Sequence, residues 1–98
     1  MMKLTAEDRL FLKEQCHEDE ASINQIERAA RRTKYEYYDP SIDDGCHRIG
    51  VDKVISLVGR ERWLIGMDRS AFHWSATIEV PGKEGVMIFF DSSAFFRE

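Results

Sequence analysis

Ser70–Val80 (SAFHWSATIEV), Pro81–Gly85 (PGKEG) and Val86–Phe90 (VMIFF) follow one another without a gap. Pro and Gly cluster between two stretches rich in β-branched and aromatic residues, which predicts two strands joined by a tight connection. In the first stretch Phe72, Trp74, Ala76, Ile78 and Val80 alternate with Ala71, His73, Ser75, Thr77 and Glu79, the period of a sheet with one buried face. Pairing Val80 with Val86 sets Ile78 opposite Ile88, Ala76 opposite Phe90 and Trp74 opposite Ser92, so the apolar face stays together. Trp74 and Ile78 are thereby expected in the core.

Upstream of the hairpin the chain reads as helical. From Met1 to Asp39 there is no Gly or Pro, and strong helix formers dominate. Thr5 with Asp8 three residues on can cap a first helix over about 6–16. Ser22 with Gln25 can open a second over about 22–36. Ile23, Ile26, Ala30, Thr33 and Tyr37 would then form its apolar stripe. One continuous helix through 17–21 is the competing reading. Tyr38 to Gly45 (YDPSIDDG) carries Pro40 and an Asp-Gly pair, so a loop is expected over 38–50. Val51, Val54, Ile55 and Val58 recur at helical spacing, with Gly59 placed for a left-handed cap, which predicts a helix over 51–58. Arg60–Gly66 (RERWLIG) reads as a short helical turn, with a third strand as the alternative. The expected fold is α+β in a single domain spanning 1–98: two N-terminal helices, one or two short central helices, and a C-terminal antiparallel hairpin packed on them.

Composition limits the function classes. At 98 residues with 43% hydrophobic and 33% charged side chains, the chain can bury a core without a metal or disulfide, so no cofactor is expected. A formal net charge of −4 opposes generic binding to a phosphate backbone. The first residues turn charged before an apolar run develops, and no stretch is long enough to span a bilayer, so a cytoplasmic protein with no membrane contact is expected. Its two cysteines are then expected as reduced thiols. The segments GRE (Gly59–Glu61), SAFHW (Ser70–Trp74) and FDSS (Phe90–Ser93) resemble small bacterial proteins; the resemblance spans half the chain, implies a bacterial source and supplies no mechanism.

Four groups of residues could carry function. On the polar side of the expected hairpin, His73 would oppose Ser93 and Ser75 would oppose Asp91. That grouping suits a hydrolase with His73 as base, Asp91 as its orienter and Ser75 or Ser93 as nucleophile, but it equally suits a solvent-facing polar ladder. No strained nucleophile turn or Gly-rich oxyanion loop accompanies it, so the reading favours no enzyme. Cys16-His17 and Cys46-His47 supply zinc-ligand chemistry, yet adjacent residues on a helix project about 100° apart and rarely chelate one ion. Arg28, Arg31, Arg32 and Lys34, with nearby tyrosines, could contact nucleic acid. They also oppose the dipole of the second helix, where Glu27 could pair with Arg31. Finally, Met87, Phe89, Phe95 and Phe96 form an apolar surplus that either the chain's own helices or another chain must cover. The leading expectation is a non-enzymatic accessory protein acting by protein–protein contact, with a protein partner or self-association. A small nucleic-acid-associated regulator ranks second and the hydrolase third.

Overall fold

A computed structural model describes residues 3–42 and 45–97. Helices α1 (Ala6–Gln15) and α2 (Glu20–Ala30) lead into strands β1 (Lys34–Tyr38) and β2 (Cys46–Ile49). Helices α3 (Val51–Val58) and α4 (Arg60–His73) then lead into β3 (Ser75–Glu79) and β4 (Met87–Asp91), and α5 (Ser93–Phe96) closes the order. The strands form one antiparallel sheet in the order β2-β1-β4-β3. Mixed helix and antiparallel sheet is an α+β fold, but the hairpin is only half of a four-stranded sheet.

The N-terminal helices have the caps their sequences provide. Thr5 accepts from the Asp8 amide while Asp8 accepts from the Thr5 amide, the reciprocal capping box expected there. The second helix starts two residues earlier than Ser22, because Asp19 is its N-cap and accepts from the Ser22 amide. It also stops at Ala30, well short of residue 36. The amides of Arg32 and Thr33 close on the Ala29 carbonyl, and Lys34–Tyr38 (KYEYY) turns into a strand between β2 and β4. Tyr35 and Tyr37 point at the helices at period 2, so Thr33 and Tyr37 leave the helical stripe that Ile23, Ile26 and Ala30 do form. β-Propensity and strand pairing outweigh a weak helical preference here.

The expected loop over 38–50 contains β2, whose residues 46–49 pair with β1. Asp43 and Asp44 of that turn lie outside the described residues. α3 has the bounds its spacing predicts. Gly59 follows it, but with φ 88 and ψ 157 it lies beyond the left-handed helical region, in an extended conformation essentially restricted to glycine. That conformation lets α4 begin at the next residue. The turn expected at 60–66 is in fact the first half of this 14-residue helix.

α4 organises the interior. Trp63, Leu64, Met67, Ser70 and Ala71 are all buried, at spacings of 1, 3 and 4 along one helical face. α1, α2 and α3 all pack on α4, which itself packs on β3 and β4. On the sheet side Tyr35, Ile78, Ile88 and Phe90 are buried beneath it. The register between β3 and β4 is the expected one, with Ile78 opposite Ile88 and Ala76 opposite Phe90.

The correction falls at the start of that strand. Ser70–His73 belongs to α4, and Trp74 is 58% exposed instead of buried. Trp74 has φ 74 and ψ −39, a strained conformation for a bulky residue, and turns the chain from helix to strand in one step. The apolar alternation ran through this boundary because Phe72, on the helix, happens to keep the parity of Ala76 and Ile78.

Gly66 sits in mid-α4 where the ring of Phe90 lies against the backbone, and a Cβ there would overlap the ring's Cε1, Cε2 and Cζ carbons. Because Phe90 is fully buried, the ring has nowhere to retreat. Gly66→Ala is therefore expected to destabilise the fold by about 1–3 kcal/mol in urea melts, reversing the usual gain of Gly→Ala in a helix. In the same experiment Trp63→Ala is expected to cost about 3–5 kcal/mol and Trp74→Ala less than about 1. Equal losses at the two tryptophans would contradict this assignment of the core.

Candidate functional site

The helical layer covers one face of the sheet, and strand alternation sends a second set of side chains to the other. Across the sheet this open face has three rows: Arg48, Glu36, Phe89, Thr77; then Cys46, Tyr38, Met87, Glu79; then Lys34, Asp91, Ser75. Phe89 at its centre is 37% exposed, and the ring of Tyr38 meets it edge-on at 6.2 Å. Cys46 donates weakly to Glu36 Oε2 at 3.6 Å. The β1–β2 side carries the cations Lys34 and Arg48 together with Glu36, and the β3–β4 side carries the acids Asp91 and Glu79. Of the expected apolar surplus, Met87 and Phe89 lie on this face.

Phe95 and Phe96 lie elsewhere, in α5. Phe96 stacks on Trp74 at 5.8 Å, and Phe95 packs on Phe96 and against the core. The strained Trp74 thus leads an aromatic group at one end of the sheet.

The four residues considered for hydrolysis are not brought together as a sheet ladder. His73 ends α4, while Ser75 does face Asp91 across β3 and β4. Asp91 Oδ1 instead accepts from the Ser93 amide at 3.0 Å. Hydrogen bonds from Ser93, aided by the charges of Arg97 and Lys34, hold the Asp91 carboxyl below its ordinary range. The charge of His73 acts on Asp68. Cys16 stands at the end of α1 with His17 beside it at φ 57, whereas Cys46 and His47 are on β2. Among the described residues no three His, Cys, Asp or Glu side chains group as a metal site. His47 instead packs its ring on Tyr37 at 5.4 Å.

Arg28, Arg31, Arg32 and Lys34 are exposed, on the last turn of α2 and the step into β1. Glu27 does not pair with Arg31, because it accepts from the Leu4 amide at 2.8 Å and lies 4.0 Å from Arg9. What the sequence reading missed is the β1–β2 half of the open face, above all Glu36, Tyr38 and Arg48. The available signal was Tyr35-Glu36-Tyr37-Tyr38, a β-prone alternation hidden inside an apparent helix.

Two carboxylate arrangements have opposite electrostatics. Asp8 is buried, which opposes its ionisation, but Arg60 grips it through Nε and Nη2 at 2.7 Å each and the Thr5 amide adds a third donor. The Asp8 carboxyl is held below its ordinary value. Glu18 and Asp68 meet between the α1–α2 connection and α4. Burial raises both; the charge of Asp68, hydrogen bonding to it and the charge of Asp19 keep Glu18 up further, while hydrogen bonding with Glu18 and the charges of Arg69 and His73 partly relieve Asp68. Burial and these two carboxylates also push the Cys16 thiol up.

No protein-family model, curated protein or solved structure matches this chain. No helix among the described residues is long and apolar enough to cross a membrane.

The two carboxylate sites make opposite pH predictions. The depressed Asp8 contributes stability that is present above the ordinary carboxylate range and is lost as pH falls through its folded value. The raised Glu18–Asp68 pair favours folding most when protonated, and its contribution falls as pH rises from the ordinary carboxylate range through the folded values. Asp68→Asn is therefore expected to raise the unfolding free energy from urea melts at pH 7 by a few tenths to about 1 kcal/mol, with a smaller gain near pH 4. Asp8→Asn is expected to cost about 1–3 kcal/mol at pH 7 and less in acid. A loss of stability in Asp68→Asn at pH 7 would mean that the pair attracts.

Proposed function

We propose that this protein is an accessory protein acting by protein–protein contact through the open face of its sheet, and that the occupant of that face is a second copy of the chain. The observation that supports it is the pattern around Phe89: an exposed aromatic centre with Lys34, Arg48 and one acid, Glu36, on the β1–β2 side and only acids, Asp91 and Glu79, among the charges on the β3–β4 side. Two such faces related by a two-fold axis parallel to the strands, between β1 and β4, bring the cationic half of one over the acidic half of the other. Lys34 and Asp91 share a row, so each Lys34 would face Asp91 of the partner subunit. Tyr38 would lie over Met87 of the partner subunit, and each Phe89 would leave water against Glu36 of the partner subunit, its row-mate. The pairing would cover the aromatic and methionine centre of a sheet face that the chain's own helices leave open. A nucleic-acid role for Arg28, Arg31, Arg32 and Lys34 is the second reading, opposed by the net charge of −4.

Sedimentation velocity over a concentration series tests this reading. The wild type is expected to shift from monomer to dimer in the micromolar range. Phe89→Glu is expected to remain monomeric with an unchanged far-UV spectrum, because the site is exposed in the single chain. Lys34→Glu sets like charges against each other across the two-fold and is expected to weaken association by roughly tenfold or more. A wild type that stays monomeric to about 1 mM, or dimers indifferent to Phe89→Glu, would defeat it.

A further inference from the structure

The cleft where α2 ends and α3 begins holds an unusual concentration of positive charge. It measures about 470 Å³, within the roughly 300–1,000 Å³ of small-molecule sites, and lies at the end of β1 and β2. Arg31 from the end of α2, Lys34 from β1 and Arg48 from β2 line it, and no acidic side chain does. In a chain of net charge −4 this is a local reversal of sign. Ion pairs among the described residues engage Arg9 and Arg60, and among those residues no carboxylate lies within salt-bridge distance of Arg31, Lys34 or Arg48, although the charge of Lys34 acts on Asp91. The neighbouring acids are Glu36, opposite Arg48, Asp91, opposite Lys34, and Asp52 in the first turn of α3; none lines the cleft.

The rest of the lining has two characters. Ile49 and Val51 contribute apolar surface. Gly50 is the N-cap of α3 and offers no side chain to its first amides, leaving the positive end of that helix uncapped beside the three cations. Three cations from three separate elements suit a doubly charged anion better than a single carboxylate, and the two arginines can each fork onto phosphate oxygens. The apolar wall suits a carbon body attached to that anion.

From the cleft and its cations we propose that this is a binding site for a small phosphomonoester, a ligand of mononucleotide size whose phosphate meets Arg31, Lys34 and Arg48 while its body lies on Ile49 and Val51. The site shares Lys34 and Arg48 with the pairing face but needs no second copy, so it can be tested on the monomer. A nucleic-acid backbone fits it less well, because the remaining surface of an acidic chain repels a run of phosphates.

Titration of the full chain with adenosine 5′-monophosphate, inorganic phosphate and a short DNA duplex, followed by amide NMR, tests the proposal. The monophosphate is expected to bind saturably, shifting the Arg31, Gly50 and Val51 amides, and to bind more tightly than inorganic phosphate. Arg31→Ala and Arg48→Ala, both at exposed positions, are each expected to weaken it about tenfold while leaving the remaining spectrum in place. Absence of saturation by about 10 mM, shifts that persist when Arg31→Ala and Arg48→Ala are combined, or inorganic phosphate binding as tightly as the nucleotide would each overturn it. So would tighter, steeply salt-dependent binding of the duplex, which would assign the cations to nucleic acid.

Discussion

The contact between the ring of Phe90 and the backbone of α4 at Gly66 fixes how the two layers of this protein meet. Phe90 lies on an inner strand of the sheet, and Gly66 lies near the middle of the helix on which the other long helices pack. Glycine costs about 1 kcal/mol against alanine in a helix, but here it lets the ring approach where any side chain would hold the layers apart. Tyr35 meets Phe90 edge-on at 5.2 Å, accepts from Trp63 Nε1 at 3.0 Å and donates to Met67 Sδ at 3.6 Å. Burial holds that phenol protonated, its pKa pushed up to about 12, so it remains a donor across the physiological range. One aromatic cluster thus ties β1 and β4 to α4, and the open face follows from it: α1, α2 and α3 turn their apolar sides to α4, which leaves no helix for the far side of the sheet.

A second set of contacts holds the strained end of the same helix. Ser70 on α4, Ser92 after β4 and Thr33 before β1 are buried and joined by hydroxyl contacts of 2.7 and 3.0 Å, and Thr33 also donates to the Ala29 carbonyl. The Ser92 amide donates to the Trp74 carbonyl at 2.7 Å, and Gln25 donates to the carbonyl of Ala71. A buried polar network is stabilising when its members are satisfied, and no buried side-chain polar atom among the described residues lacks a partner. The positive φ of Trp74 is thereby over-determined from both sides of the helix–strand junction.

Legibility in the sequence divides along local and non-local lines. The Thr5–Asp8 capping box, the 51–58 helix and the register from Val80 to Phe90 depend on spacings within a few residues, and all could be read directly. The strand at 34–38 could not, because KYEYY becomes a strand only when β4 and β2, distant in sequence, supply its hydrogen bonds. Trp74 failed for a related reason. A helix ending on residues of the right parity is indistinguishable, at period 2, from the start of the strand that follows it, and only the buried positions Trp63, Leu64, Met67 and Ala71 reveal the longer period. The β3–β4 half of the open face was therefore visible as Met87 and Phe89, while the β1–β2 half, which completes its charge pattern, was hidden inside an apparent helix.

Lys34 and Arg48 belong both to the open face and to the rim of the cationic cleft, and that shared membership links the two proposed roles. An anion held by these cations would neutralise Lys34 and Arg48 on the face, and Lys34 is the cation that two-fold pairing sets against Asp91 of the partner subunit. Pairing would in turn draw Lys34 towards a carboxylate and away from the cleft. Binding free energies of this kind are reciprocal, so whatever factor the ligand takes from self-association, self-association takes from the ligand. The apolar centre around Phe89 and Tyr38 is untouched by this exchange, so the ligand would weaken pairing without abolishing it. With the open aromatic face bordered by the proposed ligand cleft, the two proposed roles together would make association depend on a small anion.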